Sequence, residues 1–213
     1  MMSRPPLPLL SRFLIAWVLL TVAGCNPFHH APKLPERVDF IAVMPIEAAE
    51  HTGATSVEQV ETLPPGAPRQ VTAAVYGALT SSSEWRVVPD LTVTQALTHV
   101  NREEDLLSRA RALGKEVGAD AVLYGTVSRY VERVGAEYAA RVPAAVAFTL
   151  HLVSVRSGEI LWSGSFDQTQ RPLTSNLFNW WQFWRGGPRW FTAQEFARLG
   201  AEHLLKDLAN RAG

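Results

Sequence analysis

Over residues 145–152, apolar side chains alternate with smaller or polar ones: Val146, Phe148, Leu150 and Leu152 take every second position. A period of two places the four on one face of a β-strand. The strand spans "AAVAFTLHLVSV". After the turn "VRSGE", which holds Gly158, "ILWSGSFDQTQ" predicts a returning strand with Ile160, Trp162 and Phe166 on one face. Three earlier segments also read as strands. "VDFIAVMPI" (38–46) is a continuous apolar run of the buried kind, "EWRVVP" is short, and "DAVLYGTVSRYVERV" is long.

Other segments carry the helical spacing. Val71, Val75 and Leu79 form one stripe, and Leu106, Ala110, Leu113 and Val117 a second. Asp90 is placed to cap a short helix over "LTVTQALTHV". Glu103, Glu104 and Asp105 supply an acidic helix start, and Gly118 stands where a left-handed C-terminal cap belongs. Phe196, Leu199, Leu204 and Leu208 form the last stripe, opened by a Thr192/Glu195 capping box. The stretch from residue 47 to Pro68 reads as a long surface loop. The order β-α-β-α-α-β-β-β-α predicts a single α/β domain over 38–213. It is a mixed sheet with an early β-α-β crossover, an antiparallel meander and flanking helices.

The N-terminus changes the picture from fold to address. Arg4 and Arg12 are the only charges before Lys33, and "FLIAWVLLTVA" (13–23) is eleven apolar residues long. A bilayer-spanning helix needs about 20. A basic start followed by a short apolar core is the pattern of a secretory signal peptide, here residues 1–24. Val22, Ala23 and Gly24 precede Cys25, the sole cysteine. This "VAGC" resembles a bacterial lipoprotein cleavage box. The resemblance implies a diacylglycerol thioether on Cys25, cleavage before it, and, with Asn26 rather than aspartate next, placement on the periplasmic face of the outer membrane. Residues 25–37 then form a lipidated N-terminus and a proline-rich tether. Its twelve residues after the cysteine reach at most about 40 Å. A lone cysteine also excludes intramolecular disulfides. Removing Arg4 and Arg12 leaves 18 basic against 20 acidic residues, a net charge of −2. That is no footprint for nucleic acid.

Candidate chemistry is sparse. No phosphate-binding loop, nucleophile elbow or H-E-x-x-H motif occurs. The histidines His29, His30, His51, His99, His151 and His203 are scattered without partners at ligand spacing. No catalytic residue, metal site or cofactor is assigned, apart from the covalent lipid on Cys25.

"FIAVMPI", "LGKEVGADAVLYGTVSRY" and "FTLHLVSVRSGEILWSGSF", across roughly 38–170, resemble a broad group of bacterial envelope lipoproteins. That group includes the curli secretion channel lipoprotein and the outer-membrane activators of penicillin-binding proteins. The shared motifs are structural: Gly118 and Gly125 serve turns and close strand packing, and Gly158 a turn. Two departures keep either specific activity from carrying over. Activators of this kind use a long flexible tether, and the curli channel inserts a membrane-spanning hairpin. Glu132, Arg133, Glu137 and Arg141 argue against a lipid-facing strand here.

Four of seven tryptophans fall in "NLFNWWQFWRGGPRWF", residues 176–191. Read as a helix, 176–184 shows a narrow polar stripe of Asn176, Asn179 and Gln182. Leu177, Phe178, Trp180, Trp181, Phe183 and Trp184 cover the rest, too wide an arc for a helix half in water. These six and Trp190 are the expected partner or membrane contact, unless the rings pack on the sheet. The expected function is a non-enzymatic scaffold or assembly component of the envelope, with an envelope protein or a second copy as partner. A subunit of an oligomeric export apparatus, and a cell-wall enzyme or its regulator, are the alternatives.

Overall fold

A computed structural model describes residues 33–49, 63–82, 84–137, 139–170 and 189–212. Phe40–Val43 form β1 and Glu47–Ala48 form β2. Helix α1 (Ala67–Ser81), β3 (Arg86–Val87), α2 (Asp90–Ala96) and α3 (Leu106–Val117) follow. Strands β4 (Ala121–Val131), β5 (Val134–Ala136), β6 (Ala139–Val142), β7 (Ala145–Ser154) and β8 (Ile160–Thr169) precede α4 (Ala193–Ala212).

The main sheet runs β3-β1-β4-β7-β8, and β2 also pairs with β4. β1 is parallel to β3 and to β4, whereas β7 is antiparallel to both β4 and β8. The mixed sheet, the β1-α1-β3 crossover and the meander are those the periodicity predicts. Val146, Phe148, Leu150 and Leu152 face one side, packed with Val71, Val75 and Leu79 of α1 and Phe196, Leu204 and Leu208 of α4. The opposite side buries Ala42, Val122, Tyr124 and Val153 against α2 and α3.

The local signals behind these elements are visible in the contacts. Asp105 caps α3 by accepting the Ser108 N–H at 3.0 Å, and Gly118 ends it at φ 67°. Thr192 and Glu195 exchange bonds in a reciprocal capping box: the Thr192 N–H reaches Glu195 Oε2 at 2.9 Å, and the Glu195 N–H reaches Thr192 Oγ1 at 3.2 Å. Gly125 is dictated by the strand pair, because a Cβ there would stand 2.0 Å from the Thr149 carbonyl oxygen. Asp120 of the "GAD" motif holds the start of β1. Its Oδ2 accepts the N–H groups of Asp39 and Phe40 at 3.1 and 2.9 Å.

Four details differ from the sequence reading. Of the run 38–46 only Phe40–Val43 is strand, and the two-residue β2, Glu47–Ala48, lies in the stretch that reads as a surface loop. Pro89, not Asp90, precedes α2, and Asp90 is its first helical residue. The long strand stops at Val131, and a separate hairpin, β5–β6, follows. Ile160 does not share the face of Trp162 and Phe166. A register shift opposite Leu152 and Val153 inserts one extra residue, Leu161, and leaves Ile160 48% exposed.

Candidate functional site

Cys25 with Val22, Ala23 and Gly24 lies outside the described residues, as do Leu177, Phe178, Trp180, Trp181, Phe183 and Trp184. Trp190 is described and half-buried. The chain on either side of the aromatic stretch is held by one side chain. The Gln170 amide donates to the Arg189 carbonyl at 2.9 Å and accepts the Phe191 N–H at 2.8 Å. An amide offers both a donor and an acceptor, so one side chain can bind two backbone groups of the same segment.

The β5–β6 hairpin packs against this base. The Trp190 N–H donates to the Glu137 carbonyl at 2.7 Å, and the Arg133 guanidinium donates to the Trp190 carbonyl. Glu132 Oε1 accepts the Ala193 N–H at 3.0 Å, at the start of α4. Arg189 pairs with Glu195 at 2.6 Å and lies 3.6 Å from Glu137. Its guanidinium, together with the Thr192 N–H, holds the Glu195 carboxyl below its ordinary range. Val134 and Val142 are cross-strand partners on this hairpin, 41% and 38% exposed. Paired valines on one face make a small apolar patch. Sequence reasoning merged Val134 into the preceding strand and missed the patch; Gly135, at φ 117°, is the signal of a break.

A second region looks chemical at first sight. His151 Nδ1 lies 2.7 Å from Ser163 Oγ, and its ring stacks 5.3 Å from Tyr124. Burial holds the imidazole below its ordinary pKa. Thr149 and Ser165 are 3.3 Å apart on the same face, and Arg129 pairs with Asp167. These side chains stand on the open side of β7–β8. A serine–histidine pair becomes nucleophilic machinery only beside donors for a developing oxyanion. Among the described residues the His151 ring has Ser163 as its hydrogen-bond partner, and no carboxylate orients it. A cavity of about 330 Å³ elsewhere is lined by Glu47, Leu97, Val100, Arg102 and Arg109. Its carboxylate is paired with Arg109 at 2.7 Å. Among the described residues, no group of three or more His, Cys, Asp or Glu is placed to hold a metal, and no helix is long and apolar enough to cross a membrane. His99 lies 3.2 Å from Glu116 at the surface, and His203 is exposed on α4.

The sequence profile of the family described as "Peptidoglycan-synthase activator LpoB" matches residues 61–167, from the approach to α1 into β8. The chain belongs to this family. Among curated relatives of LpoB type, the penicillin-binding protein activator LpoB of Dickeya dadantii (strain 3937) is 33% identical over 100 residues. The match covers 45% of this chain and 45% of that protein, so the chain spans about half the length of the curated relative it matches. Among solved structures, the LpoB C-terminal domain from Salmonella enterica is 20% identical, covering 65% of this chain and 88% of that one, with a TM-score of 0.44. The PelC dodecamer from Paraburkholderia phytofirmans is 18% identical over 83% of this chain and 91% of that one, also at 0.44. The LpoB profile spans the Gly125 strand, the β5–β6 hairpin and the His151–Ser163 face, and it stops before the aromatic stretch.

Proposed function

We propose that this protein is a non-enzymatic activator of a peptidoglycan synthase, held at the periplasmic face of the outer membrane by lipid on Cys25. The observation that carries this reading is the LpoB family match over 61–167. It favours regulation of a cell-wall enzyme over a general scaffold. The lipoprotein cleavage box supports the envelope address. In this reading Leu177, Phe178, Trp180, Trp181, Phe183 and Trp184, whose apolar arc exceeds what one helix face on a sheet buries, belong to the contact surface together with Trp190.

The test is glycan synthesis by a purified bifunctional synthase from the same organism, with and without the mature protein. The reading expects a saturable rise in polymerisation rate and no product from the protein alone. An unchanged rate at saturating protein contradicts it. Size measurement in detergent separates the alternatives further: an export subunit forms a ring-sized assembly, an activator a monomer or dimer.

A further inference from the structure

We propose that the cavity beside α3 binds a small amphipathic carboxylate of dipeptide size, whether or not the protein activates a synthase. Its walls come from four places in the chain: Glu47 of β2, Leu97 and Val100 after α2, Arg102 in the connection that follows, and Arg109 of α3. The enclosed volume is about 330 Å³. At about 30 Å³ per water, such a space holds roughly ten waters. It stands at the small end of ligand pockets, which run from about 300 to 1,000 Å³.

The topology explains why a cavity opens at this point. α1 crosses from β1 to β3 over the sheet face that buries Phe148, and α2 and α3 cross from β3 to β4 over the opposite face. β1 is parallel to both β3 and β4, so α3 runs back to the start of β4. Its first turn, with Arg109, therefore lies outside the carboxyl ends of β1 and β3. Open α/β sheets bind ligands in this crevice, where successive crossovers leave to opposite faces.

The lining chooses the ligand's chemistry. The Arg109 side chain is 16% exposed and pairs with Glu47 Oε1 at 2.7 Å. Its Nε is buried and has no hydrogen-bond partner. A buried donor left unmade is costly, and a guanidinium presents five donors in a rigid fork. Arg102 is exposed and has no carboxylate partner among the described residues. Two guanidiniums against one carboxylate leave an excess positive charge in the wall. A planar carboxylate matches the fork with two parallel bonds. Glu47 keeps a second oxygen for an ammonium or amide N–H of the ligand. Leu97 and Val100 offer apolar surface to an aliphatic body, which a bare phosphate would leave unused.

The test titrates alanyl-alanine into the full mature chain, with heat of binding and backbone amide shifts as readouts. Saturable binding is expected, with a Kd of about 1 mM and with the Val100 and Arg109 amides among those that shift. The C-terminal amide of the dipeptide, which lacks the carboxylate, should bind about tenfold more weakly. Arg109→Lys keeps the charge, loses the fork and should weaken the dipeptide by a similar factor. Arg102→Ala, at an exposed position, serves should Arg109→Lys fold poorly, and should weaken binding by about threefold. No saturable binding at about 10 mM dipeptide would overturn the proposal. Equal binding of the C-terminal amide, or binding untouched by either substitution, would do the same, since the carboxylate would then not be held by these arginines. Inorganic phosphate binding as tightly as the dipeptide would reduce the cavity to a plain anion site and also overturn it.

Discussion

The sheet face under α1 and α4 and the hairpin end of the same domain are held by opposite means. The first is held chiefly by apolar packing: Phe148 packs on Phe166, Phe166 on Phe196, at ring separations of 5.5 Å. The second is tied by polar bonds, from Gln170, Glu132, Arg133 and Arg189, around two exposed valines. A face closed by hydrophobic burial is saturated, since every ring already has its partners. An end held by directional hydrogen bonds is positioned without being covered, and its apolar residues stay available. Stability and contact are thus assigned to different places, and substitutions should separate them.

The largest effect is expected in the core. Phe148→Ala removes a fully buried ring and should cost about 3–5 kcal/mol, read as a fall in the denaturant midpoint. Gly125→Ala drives a methyl group to the Thr149 carbonyl and should cost about 1–3 kcal/mol or prevent folding. At the hairpin end, Gln170→Ala leaves the Arg189 carbonyl and the Phe191 N–H without their partner. A loss of about 1–2 kcal/mol is expected, with hydrogen-exchange protection falling around residues 189–192 rather than in β7. A core-sized loss there would erase the contrast. Asp120→Ala, at the start of β1, should cost about 1 kcal/mol, measured in the same way.

The smallest effect concerns pH. Burial lowers the His151 pKa from its ordinary 6.5, so the folded protein prefers the neutral ring while the unfolded chain takes up a proton near 6.5. Its contribution is therefore complete above pH 6.5 and is lost as pH falls through the lowered value. His151→Asn should flatten that part of a melting-temperature profile between pH 7.5 and 5.5. A steeper profile in the variant would reverse the sign.

How far the sequence reaches follows the same contrast. The alternation of Val146, Phe148, Leu150 and Leu152 and the stripe of Val71, Val75 and Leu79 reveal the sheet and its covering helices because burial imposes a period. Gly118 and the Thr192/Glu195 box are legible because caps act between near neighbours. The clamp by Gln170 is not, since its partners lie 19 and 21 residues away and no periodicity marks a single amide. β2 escapes for a related reason: Glu47 and Ala48 are strand only because Thr126 and Val127 lie beside them. The spacing puts Ile160 on the core side, and an inserted Leu161 changes its face, as one residue must in a period of two.

The claim that this protein works by contact and not by chemistry is tested most directly by synthase turnover in the presence of Ser163→Ala/His151→Ala. These two side chains are the nearest approach to a nucleophile and base among the described residues. The account predicts a polymerisation rate equal to that with wild type. A fall to the rate of the synthase alone, with the fold intact, would contradict it.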